Sequence, residues 1–416
     1  MEQKLAAPKM PHLLLAPLVA FACIAYVFRF PTPLGAVSLF RLVGLAYFAY
    51  ALWCSLFARR VFHADGVPIR LFVGVGLIIC PTVVDIVFFV DSPSLAAPIY
   101  AFWANLLFFV CFSLTVEPED SVYYLKWYCY ASVVETIIAL YGHFSMEFPL
   151  GFLIQDYGSD YVKQLSMFNV NEDLVRLSGT FFDPNFYGIY LVSVIAISCW
   201  LFSYAGRQIF FLLVAGLSLY QLVLTGSRTA MLGLCGVIIA VVLMRKISLG
   251  KLVGLLCLLG FAGSLPLVFD SSLATQLTSS ASVMERLEFF KRGIDAFMAS
   301  PLWGSGSGAL VDPVTHISTA HSVYLSILGR NGILGFLCFV LAVLIVLSPV
   351  IFESQARQSQ REFVFQLLLM LGIFFIAYDI LYFFEPLFFL FAMMLVFTKS
   401  VVRDEWANGL RSEGEC

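Results

Sequence analysis

Four arginines, one lysine and one histidine stand where an apolar chain ordinarily avoids charge: Arg176, Arg228, Arg286, Arg292, Lys291 and His321. Guanidinium groups present a planar fork that matches phosphate oxygens. A neutral imidazole beside them is suited to take a proton near neutral pH. Arg176 opens the stretch Arg176-Leu177-Ser178-Gly179-Thr180-Phe181-Phe182-Asp183-Pro184-Asn185-Phe186-Tyr187-Gly188. Asp183 there reads as a helix cap ahead of Pro184, and Asn185 follows it. Glu172 can pair with Arg176 only if that segment is helical. Arg228 lies in the short link Thr225-Gly226-Ser227-Arg228-Thr229, where a helix emerges at the interface. It either snorkels to lipid headgroups or is a cation fixed on a helix end.

Val283, Leu287, Phe290, Ile294 and Phe297 recur at steps of four and three, which is one face of a helix. Arg286 falls beside that stripe and Arg292 almost opposite it, so a helix lying on the membrane would bury the stripe, make Arg286 the better ligand and leave Arg292 on a solvated face. The segment Pro301-Leu302-Trp303-Gly304-Ser305-Gly306-Ser307-Gly308 reads as a turn whose successive N–H groups can cradle phosphate. His321 opens an apolar run that Asn331-Gly332 interrupts, splitting it into a short helix and a full span. Asp183, Asn185, Lys291, Arg292 and Tyr324 join Arg176, Arg228 and Arg286 as candidate substrate-binding residues.

Composition says what must hold these residues. Of 416 residues, 61% are hydrophobic and 12% charged, with a mean hydropathy of +0.92. Soluble domains are about half apolar and about one quarter charged. That excludes an ordinary soluble enzyme and a disordered chain. The net charge of −3 and the lack of a basic block argue against nucleic acid as a partner. Ten cysteines with no CxxC pair argue against a disulfide framework or zinc. No metal-ligand cluster stands in the polar loops, so neither metal nor cofactor is expected.

A bilayer core needs about 20 apolar residues per helix. About twelve spans follow: 12–28, 35–57, 71–90, 95–116, 122–144, 184–204, 209–225, 229–244, 252–269, 322–352, 363–380 and 384–398. The expected fold is an all-α polytopic membrane protein. Lys4, Lys9, Arg59, Arg60, Arg245, Lys246, Arg357, Lys399 and Arg403 place both termini in the cytoplasm. Two long outer loops remain, about 145–180 and 270–321. The organisation is then 1–144, five N-terminal spans; 145–352, a core with both loops; 353–398, two further spans; and 399–416, a cytoplasmic tail. Arg41, Asp85, Glu135, Asp379 and Glu385 lie in or near spans, where mutual pairing competes with a proton or substrate pathway.

Together, in order, these motifs resemble the O-antigen ligase and O-antigen polymerase superfamily. Arg176 to Gly188 is similar to its arginine-glycine-aspartate/asparagine-proline-asparagine stretch, and Ser227-Arg228 to its serine-arginine pair. Arg286 to Gly306 resembles its arginine, aromatic and proline-glycine-x-glycine segment. His321-Ser322, nine residues, then Gly332-x-x-Gly335 fits the ligase pattern in full. Two arginine-to-glycine spacings, Arg176 to Gly188 and Arg292 to Gly304, are each one residue longer than the polymerase form.

The resemblance implies a bacterial inner-membrane glycosyltransferase with its active site on the periplasmic face. Its donor would be an undecaprenyl-diphosphate-linked glycan. Its acceptor would be a sugar hydroxyl on a lipid-linked repeat unit (a polymerase) or on lipid A–core (a ligase), with polymerase slightly ahead. Arg176, Arg228 and Arg286 would hold the diphosphate, and His321 would activate the acceptor, with inversion and no metal. A chain-length regulator and membrane lipids are the further partners. A transporter or flippase, a peptidoglycan polymerase of the shape–elongation–division type and a purely structural membrane partner are the competing classes.

Overall fold

The computed structural model describes residues 29–32, 35–38, 41–42, 44–49, 67–89, 93–145, 168–171, 174–181, 183–204, 208–244, 281–311, 319–352, 358–379 and 386–399. The described elements are helices and two short hairpins. Strands β1 (Arg29–Thr32) and β2 (Gly35–Ser38) pair antiparallel, Arg29 opposite Ser38. Helices α1 (Val67–Phe89), α2 (Pro93–Thr115) and α3 (Ser121–Ser145) follow. Strands β3 (Phe168–Asn171) and β4 (Leu174–Leu177) pair antiparallel, with Asn169 opposite Arg176. Then come α4 (Pro184–Tyr204), α5 (Ile209–Thr225), α6 (Arg228–Met244), α7 (Ala281–Ala299), α8 (Val323–Phe352), α9 (Gln358–Ala377) and α10 (Pro386–Lys399).

The chain is thus helical in a membrane manner. Four described helices, Ile69–Phe89, Pro184–Tyr204, Val323–Phe352 and Gln358–Ala377, are long and apolar enough to cross a bilayer. Helix α5 shows why lipid, not water, must face the exposed sides. It buries Phe211, Val214, Ser218, Gln221 and Leu222, while Leu213, Leu217, Tyr220 and Val223 are exposed. Its outward side is more apolar than its inward side, the reverse of a soluble helix.

Several expectations shift. The second span cannot begin at residue 35, because Gly35–Ser38 is a strand. The segment carrying Arg176 is also a strand, which removes the helix spacing between Glu172 and Arg176; Glu172 itself lies outside the described residues. The span expected at 363–380 is a helix over Gln358–Ala377. The expected spans 12–28 and 252–269, and Glu385, also lie outside the described residues.

The chain forms two compact units. The first comprises Met1–Pro68, Ala104–Cys235 and Phe384–Arg403. Its centre is α4, which is apolar all round and buried almost all round. Tyr187 and Tyr190 on α4 stack with Phe181, and Tyr128 of α3 lies flat on Phe389 of α10, ring centres 5.0 Å apart. Gln221 of α5 accepts from the Tyr187 hydroxyl and donates to Thr136 of α3 at 2.8 Å. The second unit comprises Ile69–Trp103, Gly236–Phe383 and Asp404–Cys416. There α7 lies on the first part of α8, with Ala296, Leu310 and Ala320 as a small core.

Candidate functional site

In the first unit the cationic residues sit where strand β4 meets two helix ends. Arg176 donates from Nε to the Thr225 carbonyl at 2.8 Å, and from Nη2 to Asn185 Oδ1 at 3.4 Å. Ser227 Oγ donates to the same Asn185 oxygen at 3.0 Å. A guanidinium has five donors, so this seating leaves part of its fork for another ligand. Asp183 Oδ1 accepts the Asn185 N–H at 2.6 Å and the Phe186 N–H at 3.4 Å, which makes it the cap of α4.

Arg228 is the first residue of α6 and is exposed. A cation at a helix N-terminus opposes the helix dipole. The unfavourable placement is relieved when an anion meets both the guanidinium and the helix end. The turn that leads to this cluster is held from below. Buried Glu135 of α3 accepts the Thr180 N–H at 2.8 Å and the Thr180 hydroxyl at 2.7 Å.

In the second unit α7 packs on the protein through a face beside the apolar stripe, not through the stripe itself. The residues it buries are Phe289, Gly293 and Ala296, whereas Leu287, Phe290, Ile294 and Phe297 are only half-buried. Small residues let α7 approach α8 closely, and that contact outweighs the larger apolar stripe. Arg286 and Arg292 therefore flank the buried face on its two sides. Arg286 Nη2 donates to the Tyr378 hydroxyl at 3.1 Å, and its guanidinium lies 5.1 Å from that ring centre. Arg292 lies over the Phe289 ring at 5.0 Å. The His321 imidazole packs on the same Phe289 ring, centres 4.2 Å apart. Phe289 thus brings His321 and Arg292 to one side chain.

His321 has φ of 51°, the left-handed region that a side chain adopts at a cost of about 1–2 kcal/mol. Buried polar bonds hold it there. The His321 N–H donates to Thr319 Oγ1 at 3.0 Å, and that hydroxyl donates to Asp379 Oδ2 at 3.2 Å. Ser326 Oγ donates to the same carboxylate oxygen at 2.5 Å and accepts the Ala320 N–H at 3.1 Å. Arg330 Nη2 stands 3.6 Å from it, and both partners are buried. Tyr324 packs its ring against Phe336 and Phe375. Lys291 is exposed on an open cleft with Glu288, Arg292, Asp295 and Ser305.

The glycine-rich turn is no phosphate cradle. Its N–H groups are spent on the protein: Ser305 to the Gly329 carbonyl at 2.8 Å, Gly306 to Arg330 at 3.1 Å, Ser307 to Asp85 Oδ1 at 2.8 Å. The turn interlocks with the break in α8. Gly304 (φ 81°) and Gly332 (φ 64°) both need positive φ. A Cβ at Gly304 would meet the Arg330 carbonyl, and one at Gly332 the Leu302 carbonyl. The N–H groups of Ile333 and Leu334, which begin the second part of α8, donate to Pro301 and Leu302.

Sequence reasoning passed over Thr225, Phe289, Thr319, Ser326 and Tyr378 as parts of these clusters. Each of the buried carboxylates Asp85, Glu135 and Asp379 takes partners from a loop. Among the described residues no group of three or more His, Cys, Asp or Glu gathers as a metal site. Residues 210–340 match a protein-family model described as O-antigen ligase. That stretch holds Arg228, Arg286, Lys291, Arg292, His321 and Tyr324, so the family match and the motif resemblance agree over it. No curated protein matches the chain.

Proposed function

We propose that the chain is a membrane glycosyltransferase that moves a glycan from undecaprenyl diphosphate to a sugar hydroxyl at the periplasmic face of the bacterial inner membrane. The observation that supports this reading best is the seating of His321. Its strained backbone is held by Thr319, Ser326 and Asp379, and its ring is held by Phe289, inside the family-matched stretch. Such fixing suits a group that must meet a reacting hydroxyl in one orientation.

In the proposed reaction the acceptor oxygen attacks the anomeric carbon as the bond to the diphosphate oxygen breaks, inverting the centre. The hydroxyl proton passes to the His321 imidazole. The diphosphate leaves with the electron pair, and its growing charge is met by Arg176, Arg228 and Arg286. Lys291, Arg292, Asn185, Asp183 and Tyr324 are further substrate-binding candidates. Arginines supply the charge that a metal supplies elsewhere, so the transfer proceeds without one. The wider frame is the polytopic one: about twelve spans with both termini cytoplasmic, a lipid-linked acceptor and a chain-length regulator as partner.

Polymerisation of repeat units is the primary reading. Ligation to lipid A–core is the second, favoured by the ligase description of the matched family and by the full His321-Ser322-x9-Gly332-x-x-Gly335 pattern. Deletion in the source organism followed by a polysaccharide gel separates them. Loss of a polymerase leaves core carrying one repeat unit, and loss of a ligase leaves bare core with polymer stranded on the lipid carrier. An unchanged gel overturns both.

A further inference from the structure

Helix α7 has three sectors along its length. One packs on the protein through Phe289, Gly293 and Ala296. One carries the exposed charges Glu288, Lys291 and Asp295. Between them runs the apolar stripe Leu287, Phe290, Ile294 and Phe297, only half-buried and edged by Met298. At successive turns of about 100° these sectors stay separate from end to end. The stripe is therefore neither the packed face nor the wet one.

The end of α7 and the turn after it continue the stripe. Met298 is 67% exposed, Leu302 49% and Trp303 64%. Large apolar side chains so close together, in a segment fastened by backbone bonds at both sides, need a cover. The depth of the segment says what covers it. Pro301 and Leu302 accept the first N–H groups of the second part of α8, those of Ile333 and Leu334. From residue 333 to 352 that helix runs 20 residues, about 30 Å, the thickness of a bilayer's hydrocarbon core. Its exposed side chains Ile333, Leu337 and Leu341 repeat every four residues from that same starting level. The turn 298–303 is thus joined to the point where a lipid-facing stripe begins. Trp is the side chain enriched at that boundary.

We infer that the stripe of α7 and the turn Met298–Trp303 dip into the headgroup layer of the membrane, so that a lipid surface is the binding partner of this part of the chain. The helix then lies along the interface, charged sector to water and packed sector on α8. The inference stands apart from the proposed reaction, because it uses only exposure, register and helix length. It has a consequence for that reaction: Arg286, on the border between the packed sector and the stripe, is carried at headgroup height. The diphosphate of any membrane-anchored polyprenyl carrier lies at the same height.

The test uses the full chain in phospholipid vesicles. Lipids brominated near the top or near the end of the acyl chain are compared as quenchers of tryptophan emission, with iodide as the quencher in water. The emission lost in Trp303→Phe isolates Trp303 among the six tryptophans. The expected result is that this component is quenched most by the shallow bromolipid and little by iodide. Quenching by iodide instead puts Trp303 in water and overturns the inference. Quenching by neither puts it under protein, such as a second copy, and also overturns it. A second measurement needs no variant: a phospholipid with a photoactivated carbene precursor near its headgroup should label the peptide containing Met298 to Trp303 in the unaltered protein. No label there, with label elsewhere on the chain, overturns the inference even if Trp303→Phe fails to fold.

Discussion

A histidine in left-handed backbone, stacked on a phenylalanine and leaning through hydroxyls on a buried carboxylate, has little freedom to reorient. If His321 takes the acceptor proton, His321→Ala should lower turnover by roughly 10²–10⁴-fold, the usual scale of general base help. Binding of the lipid diphosphate should change little, and Arg228→Ala should do the reverse. Turnover and donor binding measured on the same preparations check both, and near-full turnover without the imidazole assigns it a structural part. Tyr378 offers a finer test. Tyr378→Phe removes the hydroxyl bond to Arg286 and keeps the ring beneath it. It should cost about 1.5–3 kcal/mol of Arg286 seating at most, read as donor affinity, and Tyr378→Ala should cost more. The cationic residues were legible individually because charge is rare in so apolar a chain. Their supports were not. Asp379 and Ser326 are 53 residues apart, and nothing local in either stretch points to the other.

At the scale of the element, punctuation decided what could be read. Helices α4 and α5 run over 184–204 and 209–225 as expected, because Pro184 opens one and Gly226 closes the other. The β3–β4 hairpin escaped reading: its four-residue strands lie in a long polar stretch with no tight-turn signature. The face that α7 packs on the protein escaped for another reason. Periodicity weighs large apolar residues, whereas the contact with α8 is made by Gly293 and Ala296, which carry almost no hydrophobic signal. The clamps on loops give a prediction at this scale. Glu135→Ala leaves the Thr180 N–H and hydroxyl without their acceptor. Losing a buried acceptor costs about 1–3 kcal/mol per stranded group, so thermal unfolding in detergent should shift downward. Glu135→Gln keeps one carbonyl acceptor and should shift it less. A variant as stable as the wild type would remove Glu135 from the loop's support. Gly332→Ala and Gly304→Ala should each destabilise by at least about 1–2 kcal/mol from backbone strain, with the carbonyl clash added, and the same unfolding assay reads them.

For the whole molecule, composition alone makes lipid the main solvent. A chain with 12% charged residues keeps them only where they have partners or work. The same scarcity bears on metal. Transfer assayed with excess chelator should retain its rate, because the proposed charge stabilisation comes from guanidinium groups. Loss of activity restored by magnesium or manganese would show that a cation is required after all. The interlocked turn has one more consequence, for motion. Read as letters, Gly304-Ser305-Gly306-Ser307-Gly308 is the most linker-like stretch of the chain. Its amides, however, are bonded to Gly329, Arg330 and Asp85, and Pro301 and Leu302 just before it cap the helix that follows residue 332. In deuterated solvent the N–H groups of residues 304 to 307 should therefore exchange slowly and together with those of Ile333 and Leu334, as one cooperative unit. The stretch that looks built to flex is expected to be among the last to take up deuterium.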